Sequence, residues 1–469
     1  MTGCESADRR YTLGGSKPRT WARPDVIRSL AIAFTSTALI AFNPAGAASV
    51  FPATPANYRS FVKTLRAGDT LVLSAGEYRE GLPLQNVAGE RDQPITIVGP
   101  EHGPAAIFRA RTGRNTISIV DSSYVVIKNL VLEGDNLPVD AVKAERQSHA
   151  AHDITLEGLT IRGHGTNQQT VGISTKCPAW NWTVRGNTIL GAGTGMYFGD
   201  SDGSAPFFAS VIEGNLIVDS VGYNLQIKHQ RPRPSLPGMP AGPSITVIRH
   251  NVFAKPATAA SDAPRPNVLV GHFPLEGVGT EDDYAVYGNF FYQNATEALF
   301  QGEGNVAIYS NLFVNEHGDA IRIQPHNDVP RRIVVAYNTI VAQGAGISVM
   351  QKEGTPYFRQ VVTANAVFAG IPLTGGEQVG NLAGSMADAE SFLRRPLAPP
   401  GRLDLFPRRS MKSAGAAELP ASLPDGEKDF DGLARTPAAM SGYGGRAAGP
   451  RWLPRLERKP QFVGSSRLF

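Results

Sequence analysis

Val184-Arg-Gly-Asn-Thr-Ile189, Ile212-Glu-Gly-Asn-Leu-Ile217 and Ile248-Arg-His-Asn-Val-Phe253 are one pattern written three times. Upstream, Ile127-Lys-Asn-Leu-Val-Leu132 and Leu156-Glu-Gly-Leu-Thr-Ile161 superpose on it. Downstream it continues through Val286-Tyr-Gly-Asn-Phe-Phe291, Ile308-Tyr-Ser-Asn-Leu-Phe313, Val335-Ala-Tyr-Asn-Thr-Ile340 and Val362-Thr-Ala-Asn-Ala-Val367. The nine segments lie 22 to 38 residues apart, a period that marks a stacked repeat architecture. Seven carry Asn at one place: Asn187, Asn215, Asn251, Asn289, Asn311, Asn338 and Asn365; the first two have Leu130 and Leu159 there. Stacked turns let each amide bond the next, satisfying polar groups buried along a solenoid axis. A β-propeller is excluded, because each period holds about three short strands rather than four and shows no blade signature. The predicted fold is all-β: a single-stranded right-handed parallel β-helix with an internal Asn ladder.

A second segment in each period predicts another sheet. Its members are Ile173-Ser-Thr-Lys176, Met196-Tyr-Phe-Gly199, Leu225-Gln-Ile-Lys228, Val268-Leu-Val-Gly271, Leu299-Phe-Gln-Gly302, Ile321-Arg-Ile-Gln324 and Ile347-Ser-Val-Met350. First and third positions are mostly apolar and point inward; second and fourth point out. Lys176, Lys228, Tyr197, Gln226, Phe300 and Arg322 therefore face solvent. Just after the strand comes a polar column, Cys177, Asp200, His229, His272 and Glu303. Rungs stack ~4.8 Å apart, so neighbours in this column reach each other or a shared ligand. A bland reading stands beside this one, since polar residues after a solenoid strand are commonly turn residues.

Gly68-Asp69-Thr70-Leu-Val-Leu-Ser-Ala-Gly76-Glu-Tyr78, followed by Pro94-Ile-Thr-Ile-Val-Gly99, resembles the opening turns of pectate-lyase-like β-helix proteins, including the chondroitinase B and alginate lyase type. The resemblance covers roughly residues 57–380, with residues 54–66 expected to form a short capping helix. It implies a substrate groove along the second sheet and removal of the proton beside a uronic acid carboxylate. That chemistry needs a tuned base, a proton donor and a group that neutralises the carboxylate. The catalytic candidates are Lys228, His229, His272 and Arg322. Lys176, Tyr197, Gln226, Phe300, Arg231 and Arg233 are the substrate-binding candidates, the two arginines lying in the Pro-rich loop Gln230-Arg-Pro-Arg-Pro-Ser-Leu-Pro-Gly-Met-Pro240. If a cofactor takes part it is a cation such as Ca2+ held by Asp200, Asp202 or Glu303; His229 and His272 with an acid also have the residue types of a zinc site. Gln324-Pro325-His326-Asn327-Asp328 departs from the Asp-Pro-His-Asp stretch of alginate epimerases at its first position and by an inserted Asn.

Residues 1–48 hold six Lys/Arg against three Asp/Glu and residues 382–469 fourteen against nine, leaving 25 against 29 in the body. A slightly acidic body gives no reason to expect nucleic acid as partner. Arg23 and Arg28, the apolar run Leu30 to Phe42 and Ala45-Gly46-Ala47 predict a signal peptide over 1–47, a mature start near Ala48, secreted or periplasmic residence and no membrane span after leader cleavage. Cys177 is then the single cysteine of the mature chain, without a disulfide partner. The β-helix is expected over 48–381, and 382–469 as an irregular Pro/Arg-rich cap or strap. There, Asp429-Phe-Asp431-Gly432 with Arg435 resembles a segment found at the end of such proteins, and its Asp pair also suits a small calcium loop. The functional expectation is an exported carbohydrate-active protein, lyase-like on an acidic polysaccharide. Its alternatives are a non-catalytic carbohydrate-binding or structural solenoid, and a periplasmic metal-handling accessory protein resembling nitrous oxide reductase maturation factors.

Overall fold

A computed structural model describes residues 48–461 apart from 257–263, 352–357, 416–418, 437 and 446. The expected leader, residues 1–47, lies outside the described residues. From Val50 to Gly384 the chain winds as a coil in which each turn gives one short strand to each of three parallel ladders. The first ladder runs from Val50–Ala53 to Glu377–Val379 within a 15-stranded sheet. The second runs from Gly76–Tyr78 to Leu382–Gly384, and the third begins at Leu82–Gln85. Thr339–Val349 bends round a corner and pairs with both of these ladders, so together they form one 21-stranded sheet. The fold is a right-handed parallel β-helix, the hand that parallel strands joined by a crossover adopt.

Alternation in the sequence becomes columns in space. Val184, Ile212, Ile248, Val286, Ile308 and Val335 pair rung to rung in the first ladder and are all fully buried. In the second ladder Phe253, Phe291 and Phe313 stack at 5.3 and 4.4 Å between ring centroids. Each inward side chain thus meets its equivalent above and below, and the dry core continues along the whole axis.

The Asn residues sit where the chain turns from the first ladder to the second. In every such turn the preceding residue is left-handed: Gly186, Gly214, His250, Gly288, Ser310, Tyr337 and Ala364 have φ between 54° and 64°. Four of these are not glycine, and the left-handed region costs an ordinary residue ~1–2 kcal/mol. The amides offset that cost. Asn215 Oδ1 accepts from Asn187 N and Nδ2, both at 2.9 Å, while its own Nδ2 donates to Val184 O at 2.8 Å and Asn251 Oδ1 at 2.9 Å. All four bonding positions of a buried amide are therefore filled. The same arrangement repeats through Asn289, Asn311, Asn338 and Asn365 and ends one rung further on, at Asn381. At the other end Leu159 N donates to Asn187 Oδ1 at 2.9 Å.

Both outer faces beside the Asn turns are apolar and covered. Val252, Phe290, Leu312 and Val314 of the second ladder pack against Leu393, Leu405, Phe430, Tyr443 and Trp452 of the C-terminal segment. Leu419 and Leu423 pack on Val211, Val247, Tyr287 and Tyr309 of the first ladder. This strap is pinned to the left-handed column: Arg435 Nη2 donates to Ser310 Oγ at 2.6 Å, Ser441 N to Ala364 O at 3.0 Å, and Lys459 Nζ to Gly288 O at 2.9 Å. The Asp429 carboxylate takes the backbone N–H of Asp431, Leu433, Gly444 and Gly445 at 2.7–3.2 Å. These donors reach both oxygens and close the loop that the sequence suited to calcium. At the first rung the helix Tyr58–Val62 seals the core, its Tyr58 ring edge-on to Tyr78 at 5.0 Å.

Asn289→Ala should lower the urea midpoint without changing the slope, by about 1–3 kcal/mol for each buried group left unpaired. An unchanged midpoint would mean that the amides carry no stability.

Candidate functional site

The third ladder presents a polar outer face. Register places Lys143, Ser174, Tyr197, Gln226, Leu269, Gln301, Arg322 and Ser348 in one outward column. Backbone bonds at the strand ends place Lys176, Gly199, Lys228, Gly271, Glu303 and Gln324 in a second. The glycines in this column are steric requirements: a Cβ on Gly271 would lie 2.3 Å from His229 N. They also leave Lys176 and Lys228 two rungs apart with no side chain between them.

Lys176 Nζ lies 3.4 Å from the centre of the Tyr197 ring and donates to Gly199 O at 3.2 Å. Burial pushes its ammonium down to about 8, against the opposing pull of Asp200. Burial pushes the Tyr197 phenol up, so it stays protonated, and its oxygen lies 3.2 Å from Ser201 Oγ. Lys228 is half-buried, and its ammonium makes no hydrogen bond or ion pair among the described residues. Desolvation lowers its pKa while the charge of Glu303 opposes the shift. Beside it the His229 and His272 rings stack at 5.4 Å, and His229 is lowered first by burial and then by its histidine and lysine neighbours. His272 Nδ1 is 2.8 Å from Phe273 O, so that nitrogen carries the proton.

Several expected site residues are committed elsewhere. Phe300 is wholly inside, edge-on to Phe291, because its strand pairs as Phe300–Gly302 and not from Leu299. Two adjacent apolar residues, Leu299 and Phe300, hide this one-residue slip, which flips the faces; Gln301 takes the outward place instead. The slip also moves Glu303 into the lysine column. Glu303 is buried and its Oε1 accepts His326 N at 2.9 Å, Asp328 N at 3.0 Å and Asn327 N. It is the anchor of the Gln324 to Asp328 turn. Asp200 is buried against Arg146 Nη2 at 2.8 Å, and Asp202 accepts from Ser204 Oγ at 2.6 Å. No three His, Cys, Asp or Glu side chains converge on a point among the described residues. Arg233 is buried, paired with Asp282 at 3.1 Å and stacked over Phe208 at 4.0 Å, so it ties down the Pro-rich loop; Arg231 stays exposed. Cys177 is buried and its thiol pushed up to about 12, an inert core position. Arg322 faces out but is shared with Asp319 at 3.4 Å and Glu297 at 3.9 Å. The structure therefore leaves Lys176, Tyr197, Lys228 and Arg322 partly open on this face, with His229 and His272 beside Lys228, whereas Gln226, expected to face solvent, is buried. It adds Lys143, which extending the in-out-in pattern to Val142-Lys143-Ala144 would have found, while Ser174 in the same column is buried against Asp140.

The fold is a parallel β-helix. Solved structures similar to the chain include the GH136 lacto-N-biosidase from Eubacterium ramulus, at 12% identity over 72% of this chain and 68% of that one, with a TM-score of 0.47. The PL6 family alginate lyase AlyGC is 12% identical over 71% of this chain and 51% of its own, with a TM-score of 0.48. Pectate lyase Pel9A is 11% identical over 85% and 96%, with a TM-score of 0.43. No protein-family model and no curated protein matches the chain.

The Lys176 shift sets a pH dependence. Its folded pKa lies below the unfolded value of ~10.4, so the unfolded chain binds more protons between about pH 8 and ~10.4 and stability rises with pH there. Lys176→Met should remove that rise, most visibly as a smaller gain in melting temperature across this window. An identical gain in both proteins would show that Lys176 is solvated and unshifted.

Proposed function

We propose that this chain is an exported carbohydrate-active β-helix protein that cleaves an acidic polysaccharide by β-elimination on the third ladder. The observation that carries the reading is Lys228: a half-buried ammonium, lowered by desolvation and without a hydrogen-bond partner among the described residues, on the polar outer side of the third ladder. Desolvating a lysine is costly, and perturbed groups in reach of a polar surface cluster at functional sites. The neutral amine of Lys228 takes the proton from the carbon beside the sugar carboxylate. Arg265, whose charge acts on Lys228, offsets the carboxylate charge as the carbanion develops. Electrons then form the double bond in the sugar ring, the bond to the linking oxygen breaks, and Tyr197, held protonated by burial one rung away, supplies that oxygen with a proton. His229 and His272 wall the base and keep its surroundings poor in water.

The export part of the reading rests on the sequence of residues 1–47, and no helix among the described residues is long and apolar enough to cross a membrane. The metal-handling alternative has a stacked histidine pair behind it, without a third ligand among the described residues.

Against a panel of uronic acid polymers, followed by absorbance of the unsaturated product, Lys228→Ala should lower turnover about 10²–10⁴-fold, the span of general acid–base catalysis. Because the base works as the free amine, wild-type turnover should rise with pH through the depressed lysine pKa. Unchanged turnover in Lys228→Ala removes the lysine from the chemistry.

A further inference from the structure

At the N-terminal end of the third ladder, outside the lysine site, the coil holds a cavity of ≈ 410 Å³ with a strongly polar lining. Its walls include Arg59 from the capping helix, Glu80, Arg111, Arg114, Ser118 and Glu145. The groups are ordered. Glu80 is shared between Arg111 at 2.9 Å and Arg59 at 3.4 Å. Glu145 Oε1 is held by Ser118 Oγ and Asn115 Nδ2, each at 2.8 Å, while Glu145 Oε2 takes no hydrogen bond among the described residues. The Arg114 guanidinium is exposed and likewise makes no side-chain bond among them. Three guanidiniums thus face two carboxylates, with one fork and one carboxylate oxygen left to a visitor.

The cavity is in line with the site already described. Ser118 continues the outward column Lys143, Ser174, Tyr197, Gln226, and Glu145 stands one rung before Lys176 in the lysine column. At ~4.8 Å per rung, Glu145 lies ~14 Å from Lys228 along the axis. We infer that this cavity is a second sugar-binding site, which takes a carboxylate-bearing sugar of the same glycan chain several units from the bond at Lys228. The inference rests on the reading of the third ladder as a glycan track. Arg114 supplies the fork for the sugar carboxylate, and Glu145 Oε2 accepts from a ring hydroxyl. Contacts this far from the reacting carbon hold the chain in register, which is how remote binding energy serves a reaction elsewhere.

Calorimetric titration of the full chain with mannuronate, galacturonate and glucuronate oligomers of increasing length tests this. Affinity should climb with length until an oligomer spans from Lys228 to the cavity. Arg114→Ala should remove the last increment and weaken the long oligomers about tenfold, the worth of one charged hydrogen bond; Arg114→Lys, which keeps the charge and loses the fork, should recover part of it. Arg114 is exposed, and an unchanged melting temperature will show that its variants fold. Equal affinities for wild type and Arg114→Ala at every length overturn the proposal, as does failure of all three series to bind. Turnover measured on the same oligomers separates this from the lyase reading: binding that depends on Arg114 without any cleavage would leave the cavity standing and remove the chemistry at Lys228.

Discussion

Everything in this molecule depends on a buried amide being unable to go unpaired. At each turn from the first ladder to the second, the chain passes through one left-handed residue and then an Asn whose four bonding positions are filled by the rungs on either side. A turn shifted by one residue would strand those groups in a dry core, at a cost of about 1–3 kcal/mol each. The ladder therefore holds every rung in the same register as its neighbours. Because strand alternation has a period of two, it also decides which side chains face inward and which face out along the flanking ladders.

From that register follows the division of the outer surface. From Val211 and Leu216 onward the first and second ladders turn apolar side chains outward, and the C-terminal strap covers them, pinned to the left-handed column by Arg435, Ser441 and Lys459. The third ladder is left with serines, glutamines, lysines, a tyrosine and an arginine. Half-burial of Lys176 and Lys228 on this face disfavours their charged forms, while nearby Asp200 and Glu303 limit the shift. The result is a row of amines closer to neutrality than a solvated lysine, and a glycine column that keeps them apart.

How far the sequence disclosed this can be followed residue by residue. The repeat, the Asn positions and the in-out alternation were legible because each is local and recurs with every turn. Gln226, Tyr197 and the two lysines could be placed outward on that ground alone. The strand at Phe300 failed, since two adjacent apolar residues fit either register and only pairing with Val268–Val270 decides between them. Glu303, Asp200 and Arg233 looked like site residues because residue type is visible in a sequence and bonding partners are not. Those partners, at His326 to Asp328, Arg146 and Asp282, lie 23 to 54 residues away. Asn381 escaped notice because it follows Asn365 by only 16 residues and has Gln378 and Ala383 where Val362 and Val367 stand in the rung before.

The central claim is that the third ladder is the face on which a glycan lies. A crystal structure of the Lys228→Ala variant soaked with a long oligouronate tests it most directly. The account predicts sugar rings running along the coil axis over Tyr197, Gln226 and the vacated position 228. Sugar bound over the strap, or against the outer faces of the first or second ladder with the third ladder bare, would contradict it.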